Sequence, residues 1–427
     1  MSTRYRTLLA WAGCGCVAVS MLQTIAAQSP ATDPPASPAP AARHAVPTPT
    51  KTAILTVSLS GTSEDEQRAD SGSNPQAPAA DLETTLAYRS RGKRTTTGLE
   101  GRSVFRRTDQ TVMSRRQEAK FDLAATGQRQ EFRAAQSAAY SPFYEFGTLS
   151  APGVSSDLDE AHSHGDLANA SLSALALQSD VEWGWTLGPR LAISTTYNVR
   201  RTTFSRAGLE MTSQDVGGTL IRKLTRSVSL RAGYTHRVTH SDLAGGQPLR
   251  MNDLNVGLDF SRPVTLSRGT TVRVRSGSSL APTERGLALL MTGDASLTHR
   301  LGRTWSTGVG VNRSVRVVEG FMLPLVDNAL NATLQGNVAR HLGLSLTGSL
   351  STGTVGVTAT GNNGYQNWTT AAGVHFELSR YLLLEAHQFV MSSRFGGGVQ
   401  LPPELDDRRQ RQGVRVNVTW RMPLLRK

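Results

Sequence analysis

Arg411-Gln412-Gly413-Val414-Arg415-Val416-Asn417-Val418-Thr419-Trp420-Arg421 carries the clearest structural signal in the chain. Val414, Val416, Val418 and Trp420 occupy one set of alternate positions. Arg415, Asn417, Thr419 and Arg421 occupy the other. A period of two means a strand with one apolar and one polar face. A helix with this sequence would scatter both kinds of residue around its circumference.

The same alternation recurs through the chain. Leu330, Ala332, Leu334 and Val338 interleave with Asn331, Thr333, Gln335 and Asn337, and Val272 and Val274 with Arg273 and Arg275. Tight-turn signals such as Leu187-Gly188-Pro189, Ser261-Arg262-Pro263, Leu301-Gly302-Arg303 and His341-Leu342-Gly343 punctuate the runs roughly every 40 residues, a spacing shared with propeller blades. A blade needs four short strands, whereas each repeat here holds two of roughly 11–14 residues, the length of tilted strands that cross a bilayer. The repeating unit is a hairpin with one tight turn and one longer connection, the latter expected at 61–80, 141–167, 241–249, 353–364 and 395–410.

The expected fold is therefore all-β: a transmembrane, antiparallel, up-and-down β-barrel. About eighteen runs alternate, an even number as in bacterial single-chain barrels. Sixteen is the alternative count, because the first run and the segment 168–186 alternate weakly.

Composition agrees. The chain has 427 residues, 38% of them hydrophobic, with 40 glycines and a formal net charge of +13. No apolar run of about 20 residues lies beyond the first 27, which excludes a helical membrane protein. Residues 1–27 read as a secretory signal peptide for Sec-type export: Arg4 and Arg6, an apolar stretch, then Ile25-Ala26-Ala27. Both cysteines, Cys14 and Cys16, fall inside it, leaving no thiol for a disulfide framework. Residues 28–50 are a Pro/Ala-rich periplasmic linker, 51–421 the barrel, and 422–427 a periplasmic tail.

Aromatic placement is a second signal. Trp and Tyr favour the two membrane–water interfaces. Trp183, Trp185, Trp305, Phe376, Tyr381 and Trp420 stand near tight turns or the chain end, and Tyr140, Tyr365 and Trp368 near the long connections. Two girdles are expected, whereas core aromatics of a soluble sandwich would not cluster at strand ends.

At this point the chain resembles bacterial outer-membrane β-barrel proteins over about 51–421. Gly413, Val416 and Val418 are similar to the polar-x-Gly-x-x-apolar-x-apolar signal that the barrel assembly machinery recognises, although the chain continues past it to Lys427. Tyr140-Ser141-Pro142-Phe143-Tyr144 looks like a segment of porins found with exopolysaccharide secretion systems. The resemblance implies a channel in the cell outer membrane, with its lipid as surroundings and anionic polysaccharide as a candidate partner.

The polar strand faces would line the lumen. They carry Arg102, Arg200, Arg231, Arg237, Arg273, Arg275, Arg415 and Arg421, opposed by acidic residues such as Glu100, Asp180 and Asp294. Arginine rings favour anions. The functional expectation is a water-filled channel for polar, anionic solutes or exported polysaccharide, without a cofactor. The rival is a structural or surface-interaction barrel without transport. An outer-membrane enzyme is the second alternative, but no G-x-S-x-G marks a nucleophile. Nucleic acid is not expected, since the arginines are spread along strands rather than gathered on one patch. One loop, with Asp159, His162, His164 and Asp166, offers a weak candidate metal site beside the bland reading of a solvated acidic loop.

Overall fold

A computed structural model describes residues 50–68, 72–75, 78–107, 112–141, 144–145, 169–170, 173–204, 210–225, 227–242, 248–260, 262–263, 269–283, 286–316, 324–356, 363–399 and 407–426. The leader, all but the last residue of the linker, and Asp159, His162, His164 and Asp166 lie outside the described residues.

Eighteen long strands form one closed antiparallel barrel. In chain order they are β1 (Thr50–Arg68), β2 (Ala79–Arg91), β3 (Thr95–Arg107), β4 (Val112–Thr126), β5 (Gln130–Ser141) and β6 (Ala174–Gly188). Then come β7 (Leu191–Phe204), β8 (Glu210–Lys223), β9 (Val228–Ser241), β10 (Leu249–Phe260), β11 (Thr270–Thr283) and β12 (Gly286–Leu301). The last six are β13 (Trp305–Arg316), β14 (Leu325–Ala339), β15 (Leu342–Val355), β16 (Gly364–Ser379), β17 (Leu382–Phe395) and β18 (Arg408–Arg426). Each pairs with its chain neighbours, and β1 pairs with β18 to close the ring. Closure removes the open edges that a single sheet would expose.

Tight turns follow the even strands other than β10. Gly92 donates its N–H to the Thr95 carbonyl at 2.7 Å and Gly127 to Gln130 at 3.1 Å. Gly302, in the turn between β12 and β13, has φ of 69°, a left-handed conformation that L side chains rarely adopt. Thr52 pairs with Arg426, so both ends of the described chain sit at the tight-turn end.

Several boundaries differ from the sequence reading. β1 runs on through Arg68, taking 61–68 from the expected connection. β6 starts at Ala174 rather than near 168. Arg262 and Pro263, expected in a tight turn after β10, instead pair with Val272 and Thr271, and β11 begins at Thr270. β18 continues to Arg426, so most of the expected tail is strand. There the register shifts: Ala53 faces Leu425 and Ile54 faces Pro423, leaving Leu424 as an extra residue. Proline has no N–H to give a ladder, and a bulge accommodates it.

The rim at the long-loop end departs from a simple cylinder. β12 pairs with β13 only up to Gly293–Arg313, although β12 reaches back to Gly286 and β13 on to Arg316. Val315 and Val326 share the face of Val311 and Leu330, the outer one. Leu249, Met251, Ala281 and Leu290 belong to the inner face of β10–β12. All six pack into one apolar cluster. The rim of β13–β14 therefore lies inside that of β10–β12, narrowing this mouth.

Candidate functional site: the barrel lumen

Paired residues share a face, so the registers sort every strand position into lumen or exterior. Leu346, Val374 and Val418 are well exposed on one face; Thr62, Asp81, Thr202, Thr239 and Asn331 are buried on the other. The crowded, concave side is polar and the convex side apolar. That is the distribution of a barrel with lipid outside, because a charge on the lipid face costs about 2–4 kcal/mol near the midplane.

All eight arginines named above lie on lumen-facing positions, and at least four of them are held in ion pairs. Arg102 contacts Glu83 at 2.8 Å. Arg237 reaches Asp215 at 2.8 Å and Asp253 at 4.0 Å. Arg275 pairs with Asp294 at 2.8 Å. Arg415 lies 3.8 Å from Asp81 and donates to the Thr62 hydroxyl at 3.2 Å. Arg200 faces the lumen beside Ser213. Arg231, Arg273 and Arg421 have no ion pair among the described residues.

Further ion pairs line the lumen. Arg106 holds Asp81 through two hydrogen bonds of 2.8 and 3.0 Å. Asp81 thus bridges arginines that lie more than 300 positions apart in sequence. Arg116 pairs with Glu118 at 3.1 Å, and Arg133 with Glu131 at 2.7 Å and Glu182 at 3.9 Å. Arg409 and Arg411 are buried on the lumen face of β18, in line with Arg415. Arg411 already opens the run quoted from the sequence, and a period-two count carried back to Arg408 would have found Arg409 as well.

Charge is unevenly distributed around the ring. The β2–β6 wall is dense with ions and bounds a cavity of about 720 Å³ lined by Lys120, Asp122, Arg133, Asp180 and Glu182 among others. Directly across the ring, β13–β16 present four successive rungs without an ionisable side chain. One rung reads Gly310, Asn331, Ser349, Thr369; the next reads Gly308, Thr333, Thr347, Ala371. Asp327 bounds this area at one rim and His375 at the other.

The aromatic positions divide between the faces. Trp183, Trp185, Trp305, Phe376 and Trp420 are outward near the tight-turn end, with Tyr381 in the turn after β16. Trp183 and Trp185 stack at 5.1 Å, and Arg380 sits 4.6 Å above the Tyr381 ring. Tyr140 and Trp368 are outward near the other end. Tyr365 is not a girdle residue. It lies three positions from Trp368, so the two must point to opposite faces. Its ring is inside, 5% exposed, over Gly353, where an added Cβ would come within 2.8 Å of it. Its hydroxyl donates to Asp327 at 2.5 Å, as does that of Ser351, and its ring stacks on Phe395 at 6.3 Å. Gly413 faces the lumen, while Val416 and Val418 face outward. No group of three or more potential metal ligands occurs among the described residues.

No family model matches the chain, and no curated relative does. Among solved structures it is similar to OpdQ of Pseudomonas aeruginosa, with 11% identity and a TM-score of 0.48, over 88% of this chain and 98% of that one. OccK2 (OpdF) of the same organism, solved in complex with glucuronate, shows 10% identity and a TM-score of 0.47, over 87% and 98%. A loop-deletion mutant of OmpT, an outer membrane protein of Vibrio cholerae, shows 13% identity and 0.34, over 87% and 99%. At such scores and identities these likenesses carry no argument about this chain, whose reading rests on its own registers and side chains.

Proposed function

We propose that this protein is an outer-membrane channel for polar solutes, with a preference for anions. The observation that carries the reading is the inversion of polarity: an apolar exterior around a lumen lined by Arg, Asp, Glu, Asn, Ser and Thr in a closed eighteen-strand barrel. A soluble barrel would place its apolar faces inside. Eighteen strands enclose more space than side chains fill.

The leader and the signal around Gly413, Val416 and Val418 support Sec-type export and insertion by the barrel assembly machinery. The tight-turn end then faces the periplasm and the long-loop end the outside. Trp183, Trp185, Trp305, Phe376, Tyr381 and Trp420 would sit at one interface, Tyr140 and Trp368 at the other. Arg231, Arg273 and Arg421, inward and without an ion pair among the described residues, support an anionic solute or an exported anionic polysaccharide carried by a channel rather than an enzyme. The tucked rim favours a second reading, a barrel closed at its outer mouth and serving as a surface structure. Reconstitution in a planar bilayer separates the two. Stepwise conductance with a reversal potential displaced toward anions in a KCl gradient is expected; a membrane that never conducts would establish the closed barrel.

A further inference from the structure

We propose that the uncharged wall of β13–β16 is a binding track for the hydroxyl groups of a neutral saccharide, separate from the charged wall of β2–β6. The inference rests on the lumen being a solute path and names the substrate class that one side of that path fits.

The chemistry of the two walls differs in kind. Arginine only donates hydrogen bonds and carboxylates only accept them. On β2–β6 they are largely spent on one another, as in Arg106–Asp81 and Arg133–Glu131. Hydroxyl and amide groups both donate and accept, as a sugar hydroxyl does. Thr333, Thr347, Ser349 and Thr369 sit half-buried at the centre of the uncharged area, with Gln335 more exposed beside them. They form a lattice, about 4.8 Å between strands and about 6.8 Å between successive inward positions. One pyranose ring would span neighbouring points of it, and a chain of rings would find the next rung at the same spacing.

The surface is also recessed where the lattice is densest. Gly308 and Gly310 replace side chains on the inner face of β13. A Cβ at Gly308 would come within 2.8 Å of the Thr333 hydroxyl, so the glycine leaves that hydroxyl its place. These rungs offer only neutral hydrogen-bonding groups. Several equivalent weak sites are what conduction of a neutral solute needs, because tight binding at one of them would stop it.

The test is block of single-channel current by maltotriose, a neutral trisaccharide, in a planar bilayer. The wild type should show concentration-dependent block. The variant Thr333→Val, Thr347→Val, Ser349→Ala and Thr369→Val keeps side-chain shape and removes four hydroxyls. It should need about tenfold more sugar for the same block, with salt conductance and reversal potential unchanged. Retained heat-modifiable mobility on gels would show that it still folds. Arg102→Gln should change ion selectivity and leave the sugar block as it was. Equal block in the wild type and the four-hydroxyl variant, or block lost in Arg102→Gln alone, would overturn the track. If the wild type conducts no ions, the channel reading fails instead. Titration calorimetry of the detergent-solubilised proteins with maltotriose then decides the track by itself, and heat absent from the wild type, or equal in the two proteins, rejects it.

Discussion

The walls β2–β6 and β13–β16 face one another across the same ring and obey the same period-two rule, yet their inner surfaces are unlike. The first packs ions in pairs; the second holds no ionisable group over four rungs. Strand periodicity therefore decides only which residues face inward. What they are is left free by the fold, so it reports on solutes. A barrel that needed only to stand in lipid would have no use for the asymmetry.

The largest expected effect tests the inside–outside assignment on which the comparison depends. Leu346 is outward, 52% exposed and near the middle of β15; Thr347 is inward. Leu346→Arg should lower stability by about 2–4 kcal/mol. Thr347→Arg should stay within about 0.5 kcal/mol of the wild type. Denaturant unfolding in lipid vesicles measures both, and equal losses would mean that the faces are misassigned.

A smaller effect belongs to the charged wall alone. Asp81 accepts two hydrogen bonds from Arg106 and stands 3.8 Å from Arg415. Asp81→Asn should cost about 1.5–3 kcal/mol, the range for hydrogen bonds to charged groups. It should also move selectivity further toward anions, since two arginines lose their counter-charge. A stability loss without a selectivity change would place the trio away from the ion path.

Smaller again is the contribution of Tyr365 at the rim of the uncharged wall. Tyr365→Phe removes the hydroxyl bonded to Asp327 but keeps the stack on Phe395. About 1 kcal/mol is expected. Ser351 still donates to Asp327, so the carboxylate is not stranded. Calorimetric unfolding temperatures of the two proteins in one detergent check this, and no measurable change would mean that the hydroxyl is solvated.

These effects mark what could be read from the sequence. Most of the strands were legible because Val414–Trp420 and its counterparts alternate in twos. The upper part of β1 was not, because Glu64, Asp65, Glu66 and Gln67 are polar on both faces and show no period. Nor was the end of β18, where Pro423 reads as a break and the bulge at Leu424 absorbs it. Tyr365 was assigned by its distance to a loop, when parity with Trp368 was the better guide. Inward arginines could be named by counting in twos. Their partners could not, since Asp81 meets Arg415 only because the barrel closes. The tucked rim depends on where the β12–β13 ladder stops, and no residue type announces that.

The finest distinction lies within β11, a strand outside both walls. Arg273 and Arg275 are two positions apart on the inner face of β11. Arg275 is bridged to Asp294 at 2.8 Å, while Arg273 is exposed opposite Ser296 and has no ion pair among the described residues. A bridged pair is a local dipole whose field falls away within a few ångströms. A lone guanidinium keeps its full charge at any physiological pH and is attenuated only by salt, over about 10 Å at 0.1 M. Arg273→Gln should therefore shift the reversal potential toward cations, by several millivolts at low salt and less at 1 M. The double change Arg275→Gln with Asp294→Asn removes a pair of opposite charges and should leave the potential nearly where it was. If the double variant shifts as far as Arg273→Gln, the bridge is not closed in the conducting state and Asp294 acts on the ions directly. If neither shifts, the ion path runs along another sector of the ring, and the arginines of β11 serve only to hold the wall together.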